Sequence, residues 1–473
     1  MENYSYYTFH GVPCVLIERE DKITLIPCNK DDHKLLAKYM QDSKFLIKYA
    51  GNHYQYSHAF INTLIFNSES IDLYPDYIIH SISPNFCAMV ITGPAVDDFF
   101  SPSAYYFNKY SQGIRDFGNV VYKNEVADEW AINFKNNRLK LGLSYGNILS
   151  RGIASDLMLH PKLKIEFEET DDPIIIYDIY KAIKRFFHFI LYRSNCGNFD
   201  IELFGTIDGK YSSIGRLFDS HLSKDIYDKQ IGNICYSYYK EYISSLLQFV
   251  FNDPFLYLKH LPIYGIRNWE KDDIELLLTQ LFTAFENECH KRRTLYENAD
   301  DSKIQKVKND LLASINNVMS NQSSYTNEEK QFISDAKQRI TQLGTQFGQK
   351  TKIVNAYKIL SSSIESSISD ILYRHKEFRT ATELTEEQIN CIAKQLTQLR
   401  GSIVHGEEHN KFSLSDCQLI HFFEVLIYAQ MLFRANIPLS DIKLIIRSTI
   451  LLRFDLFDKT MNDIENNKRQ IDQ

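Results

Sequence analysis

The sequence contains no Cys-x-x-Cys pair. Its eight cysteines (Cys14, Cys28, Cys87, Cys196, Cys235, Cys289, Cys391 and Cys417) are scattered, which argues against a zinc knuckle and against a disulfide framework. No stretch approaches ~18 consecutive apolar residues, so no membrane span is expected. The opening Met1-Glu2-Asn3-Tyr4-Ser5-Tyr6-Tyr7 lacks a basic region followed by an apolar run, so no signal peptide is expected. A reducing cytoplasm is the expected compartment. Excess positive charge is also missing: 53 Lys and Arg face 60 Asp and Glu, for a net charge of −7. Proteins that coat nucleic acid non-specifically are usually basic, so any RNA contact must come from a local patch. Walker loops, G-x-G-x-x-G and H-E-x-x-H are absent, which leaves nucleotide and zinc chemistry of those kinds without a foothold. No D/E-x-K or two-metal carboxylate cluster is recognisable, which disfavours a metal nuclease. No metal and no cofactor are expected.

What is present is an ordinary globular composition, 44% hydrophobic and 24% charged over 473 residues. That length is too great for one core and suggests two or three domains. The pattern changes near residue 265, which predicts an α+β protein: a β-rich N-terminal module, residues 1–265, followed by an all-helical domain, residues 266–473.

In the first part, Tyr6–His10, Pro13–Ile17 and Lys22–Pro27 read as short strands. Phe86–Gly93 reads as a buried strand, and Pro84-Asn85 and Pro94–Ser103 as longer loops. Lys140–Tyr145 reads as a further strand, and Lys162–Glu168 alternates apolar and charged residues, as a strand with one wet face does. Asp172-Pro173 opens a helix whose apolar positions are Ile176, Ile179, Tyr180, Ile183, Phe187 and Ile190. Its other face carries Lys181, Lys184 and Arg185, read either as a solvated face or as an RNA contact, with the solvated face preferred. Asp208-Gly209 predicts a hairpin turn, and Ile234–Phe251 an aromatic-rich helical region.

From Asp272 on, helical spacing persists. Ile274, Leu277, Leu278, Leu281, Phe282, Phe285 and Cys289 form one stripe. Lys291, Arg292 and Arg293 at its end either complement the helix dipole or form a patch for RNA phosphates. Ser302–Met319 and Asn327–Leu343 read as a polar helical hairpin that projects from the core or meets a partner. Lys352–Arg374 is a further helix, followed by His375, expected at the surface. Thr385 and Gln388 have capping-box spacing and open a helix with Ile389, Ile392, Leu396, Leu399 and Ile403 on its stripe. Leu419–Phe433 is apolar nearly all round and reads as a central or dimer-interface helix. Ser440–Leu452 forms another apolar helix.

The stretch Leu399-Arg400-Gly401-Ser402-Ile403-Val404-His405-Gly406 carries a permanent cation and a group that titrates near neutrality, five positions apart. RNA cleavage without a metal needs a base for the ribose 2′-hydroxyl and a fixed cation for the phosphate, roles that suit His405 and Arg400. At about 100° per residue, positions five apart on a straight helix diverge by roughly 140°. Convergence therefore requires a distortion, for which Gly401 is the natural place, or a second subunit. The bland alternative is a surface Arg400 and a capping His405.

This stretch resembles the R-x4-6-H signature of HEPN domains, and is most similar to the ApeA-like branch found in bacterial phage-defence proteins. The resemblance covers the region from residue 266 on and the first part only loosely. It implies a helical, metal-independent endoribonuclease with Arg400 and His405 catalytic and the site formed between two HEPN domains of a homodimer. It also implies RNA as substrate, with transfer RNA a reasonable case because its loops expose unstacked nucleotides, and a phage-derived trigger or inhibitor. Ser402, Lys291, Arg292 and Arg293 are the candidate substrate contacts. The reading from a different class is a non-catalytic HEPN scaffold that binds RNA, a nucleotide or a partner protein.

Overall fold

The structure, a computed structural model, describes residues 3–19, 22–40, 45–50, 54–100, 126–147, 159–192, 196–219, 236, 239–253, 271–292, 301–320, 325–342, 348–372, 375, 377–378, 381–404 and 413–449. The chain divides into two compact units, Met1–Gly265 and Ile266–Gln473. The first is built on an antiparallel sheet and the second is helical, so the protein is α+β.

The sheet of the first unit has twelve strands among the described residues. They are β1 Asn3–Phe9, β2 Val12–Glu18, β3 Ile23–Pro27, β4 Phe45–Tyr49, β5 Tyr56–Phe66, β6 Ile71–Ser81, β7 Phe86–Thr92, β8 Val126–Phe134, β9 Asn137–Asn147, β10 Leu159–Thr170, β11 Asp200–Ile207 and β12 Lys210–Asp219. The main path runs β1-β2-β3-β6-β12-β11-β7-β10-β9-β8, with β4 and β5 branching from β6. Three hairpins turn on two residues that both have positive φ: His10-Gly11, Lys135-Asn136 and Asp208-Gly209. That backbone matches the twist of the flanking strands. The branch at β6 is possible because its start pairs with β3 and its end with β12, leaving Tyr74–Asp76 between the two pairings. Pro75, which has no N–H to give, falls in that gap.

Helix α1 (His33–Tyr39) closes an apolar core between β1–β3 and β4–β6, formed by Leu16, Ile23, Leu36, Ile47, Ile61 and Leu73. Pro94–Phe99, expected to be loop, is a short helix, α2. Gly93 has φ 142° and hands the chain to Pro94 at the first helical position, where a proline costs no hydrogen bond. Helix α3 (Pro173–Leu191) starts where Asp172 accepts from the N–H of Ile174 at 2.9 Å, and all six stripe residues named above are buried. Helix α4 (Ile243–Asn252) packs on α3 and on β8. The described residues of the unit thus hold four α-helices, where the sequence pointed to two helical regions.

His58 on β5 is buried with its Nδ1 lacking a hydrogen-bond partner. Burial, reinforced by Lys48 and opposed by Asp171 and Asp172, pushes its pKa from 6.5 down to about 4. Above pH 6.5 the ring is neutral in the folded and unfolded chain alike. Between 6.5 and 4 only the unfolded chain takes up the proton, so stability falls with pH by roughly 2–3 kcal/mol. His58→Phe should flatten this acid limb in denaturation curves recorded from pH 7 to pH 4. Variant and wild-type curves that stay parallel would show that His58 is not the source.

The helical unit comprises α5 Lys271–Lys291, α6 Asp301–Ser320, α7 Asn327–Gln342, α8 Gln349–Ile371, α9 Glu386–Val404, α10 Leu414–Arg434 and α11 Leu439–Thr449. Helix α10 is central. It packs against α5, α8, α9 and α11, and every residue from Cys417 to Leu432 is buried, including Gln418, His421, Glu424 and Gln430. Its apolar circumference is consumed within its own unit and is not left for a second subunit. A capping box, Ser413 with Asp416, opens it. The Thr385/Gln388 box opens α9, through Thr385 N–H to Gln388 Oε1 at 2.9 Å and Gln388 N–H to Thr385 Oγ1 at 3.3 Å. Helices α6 and α7 pack on one another and keep Val307, Leu311 and Phe332 exposed. His375 is buried rather than at the surface. Its ring stacks on Phe378 at 4.3 Å between centroids, and burial holds its pKa below the ordinary value.

Candidate functional site

Arg400 lies near the end of α9, half-buried, with its guanidinium 5.0 Å from the centre of the Phe282 ring on α5. Among the described residues no carboxylate pairs with it. An aromatic face holds a guanidinium through the ring quadrupole and leaves its N–H donors available, which a carboxylate would not. Phe282 is itself locked, fully buried and 4.7 Å from Phe423 on α10. The cation thus rests on a fixed aromatic platform at the surface of the unit.

Gly401 does not distort the helix. Its φ is not positive, and α9 continues through it to Val404. A Cβ placed there would meet nothing within 4 Å, so no close contact demands a glycine. Gly401→Ala is therefore expected to stabilise the helical unit by about 1 kcal/mol, the difference in helix propensity, which calorimetry would read as a rise in Tm of roughly 2–4 °C. A fall in Tm would mean that the backbone at 401 is strained in a way the helix does not show.

His405 and Arg293 lie outside the described residues. The hydroxyl of Ser402 donates to the carbonyl oxygen of Gln398 at 3.1 Å, one turn back along the same helix. Lys291 faces Glu288 at 3.7 Å, and Arg292 lies over the Phe433 ring at 4.9 Å. Arg292 directly follows α5, ten positions or about 15 Å along the axis from Phe282. Arg400 therefore sits over the middle of that helix and the Lys291–Arg292 pair at its C-terminal end.

No family model, curated protein or solved structure matches this chain. The HEPN likeness accordingly rests on the Leu399–Gly406 stretch and the helical pattern around it. No helix among the described residues is long and apolar enough to cross a membrane. Among the same residues, no three His, Cys, Asp or Glu side chains gather into a metal-holding group.

The first unit contains one constellation that the sequence did not reveal. Ser57 Oγ lies 2.9 Å from His80 Nδ1, and His80 Nε2 lies 2.8 Å from Glu18 Oε1. The Tyr49 hydroxyl donates to the other oxygen of Glu18 at 3.0 Å. Hydroxyl, imidazole and carboxylate in series are the parts of a hydrolytic triad. Ser57, however, is 1% exposed and paired on both sides, to Tyr49 of β4 and to His80 of β6. A nucleophile there is closed to any substrate carbonyl, and the network instead pins β2, β5 and β6 together. Its members are 39 and 23 residues apart along the chain, a spacing with no local signature.

Proposed function

We propose that the chain is a HEPN-type endoribonuclease that cuts RNA without a metal ion. The observation that carries this reading is the guanidinium of Arg400, held over Phe282 with no carboxylate partner among the described residues, five positions before His405. Arg400 holds the scissile phosphate and stabilises the charge that builds on it. His405 acts as base toward the 2′-hydroxyl or as acid toward the leaving oxygen. Because the nucleophile is the internal 2′-oxygen, the products are a 2′,3′-cyclic phosphate and a 5′-hydroxyl.

Helix α9 runs through Gly401 to Val404 without a bend, and positions five apart on a straight helix diverge by roughly 140°. We place the complete site between two copies related by a two-fold axis. The apolar stripe of α9 emerges from the core at this end, with Leu399 and Ile403 half-buried and Val404 62% exposed. That edge, rather than α10, is the face we assign to the homodimer. Transfer RNA is the favoured substrate and defence against phage the setting, with the first unit recognising substrate or trigger. The test is incubation of the purified protein with total RNA and excess chelator, followed by mapping of the cut ends. Cyclic phosphate at new 3′ ends, with a dimer in light scattering, is the expected result. A monomer that leaves RNA intact would overturn the reading.

A further inference from the structure

A cleft of about 750 Å³ opens in the first unit, between the tip of the β8–β9 hairpin, α3 and the end of α4. Sites for small molecules fall in the range of roughly 300–1,000 Å³. Its ionisable lining is Lys135, Lys181 and Arg185 against Asp178, three positive charges less one negative, or +2. Asp178 is already shared by two lysines: Lys181 reaches Oδ1 at 2.9 Å and Lys135 reaches Oδ2. Arg185 is the group left over. Its Nε is buried with no hydrogen-bond partner, and burial lowers its pKa although Asp178 and Asp253 attract it at longer range. An unfilled buried donor on a charged group costs folding free energy, and an anion in the cleft would offset that cost with charge-assisted hydrogen bonds.

The wall opposite Arg185 is held in place. Gln248 of α4 accepts from the N–H of Asn133 at 3.0 Å and donates to its carbonyl at 2.9 Å, and Asn252 donates to the same carbonyl at 3.1 Å. These bonds clamp the end of β8 to α4, so the following turn presents Lys135 and Asn136 at the rim in fixed left-handed conformations. A site that is rigid before the ligand arrives loses little ordering entropy on binding.

The geometry points to this cleft as a binding site for a nucleotide carrying a diphosphate or triphosphate, seated with its phosphates on Arg185 and Lys181. The lining's charge of +2, with Asp253 the further carboxylate felt by Arg185, suits a ligand carrying more than one negative charge, and the volume exceeds what pyrophosphate alone would fill. The inference is independent of the RNA-cleavage reading, because its residues belong to the other unit. The test is calorimetric titration of the full-length chain with ADP, ATP, pyrophosphate and adenosine. ADP and ATP should bind, more weakly as salt rises, with pyrophosphate weaker and adenosine not bound. Arg185→Met should lower the affinity at least tenfold, with Tm unchanged or raised because the unpaired donor is gone. Lys181→Met, at a side chain that is 43% exposed, should lower affinity without affecting folding. The proposal is overturned if neither nucleotide binds, if pyrophosphate binds as tightly as ADP, or if both variants bind like the wild type. Binding of a single-stranded oligoribonucleotide without binding of free nucleotides would also overturn it, in favour of an RNA track.

Discussion

Arg400→Ala is expected to lower RNA cleavage by about 10²–10³-fold, the usual loss when a positioned electrostatic donor is removed. His405→Ala should lower it by about 10²–10⁴-fold, the usual contribution of a general acid–base group. Folding should survive the first change, because among the described residues Arg400 gives up its contact with Phe282 alone, worth about 0.5–1 kcal/mol at a partly exposed site. Arg400→Lys is the sharper probe. A lysine can keep the charge and lie over the ring, but it cannot make a two-pronged phosphate contact, so activity should stay low while stability is kept. His375→Ala and His409→Ala should matter much less. Each variant should be assayed as a folded dimer with chelator present. Wild-type rates in both alanine variants would remove the motif from the chemistry and favour the scaffold that binds RNA without cutting it. Mixing Arg400→Ala with His405→Ala adds a test of the shared site: a mixed dimer should regain activity if each copy supplies the group the other lacks.

The helices of the second unit were legible because each carries its own signal. A stripe at steps of three and four marks α5 and α9, and the Thr385/Gln388 spacing marks where α9 begins. The hairpin at Asp208-Gly209 and the Asp172-Pro173 start of α3 are local in the same way. Sheet order is not local. Strand β6 bears Pro75 in its middle, which argues against a strand with partners on both sides, and only the gap between β3 and β12 makes it acceptable. Helix α2 was hidden because Gly93-Pro94 marks a loop and a helix start equally well. Around His375 stand Phe378, three positions on, and the Gln395 side chain of α9, twenty positions away in the sequence.

The candidate sites divide along the same line. Arg400 and His405 could be picked out because one short stretch holds both. The platform under Arg400 could not, since Phe282 lies 118 positions earlier and looks like any other core residue of α5. The basic face of α3 was visible as composition, but the structure separates its members. Lys184 is tied to Asp219 at 2.7 Å and Lys181 to Asp178, while Arg185 alone keeps a buried donor unfilled.

Glu288→Ala should be strongly destabilising in the helical unit. Glu288 is 1% exposed on α5, and Arg434 at the end of α10 grips it with two prongs, Nε to Oε2 at 2.7 Å and Nη2 to Oε1 at 2.9 Å. Lys291 stands behind it at 3.7 Å. Removing one partner of a buried pair strands the other charge and typically costs about 3–5 kcal/mol, a fall in Tm of roughly 10 °C for a unit of this size. The stranded charge, rather than the lost attraction, is the source of the cost. Glu288→Met combined with Arg434→Met should therefore recover most of the stability that either single change loses, since apolar replacement of a whole buried pair is often neutral. The pair stands six residues, or about 9 Å, along α5 from Phe282, so loosening it also loosens the support under Arg400. Glu288→Ala should then lose RNA cleavage in step with loss of fold, and the double variant should regain both. A Glu288→Ala protein that melts within about 1 kcal/mol of the wild type would show that α5 and α10 are held by their apolar contacts alone.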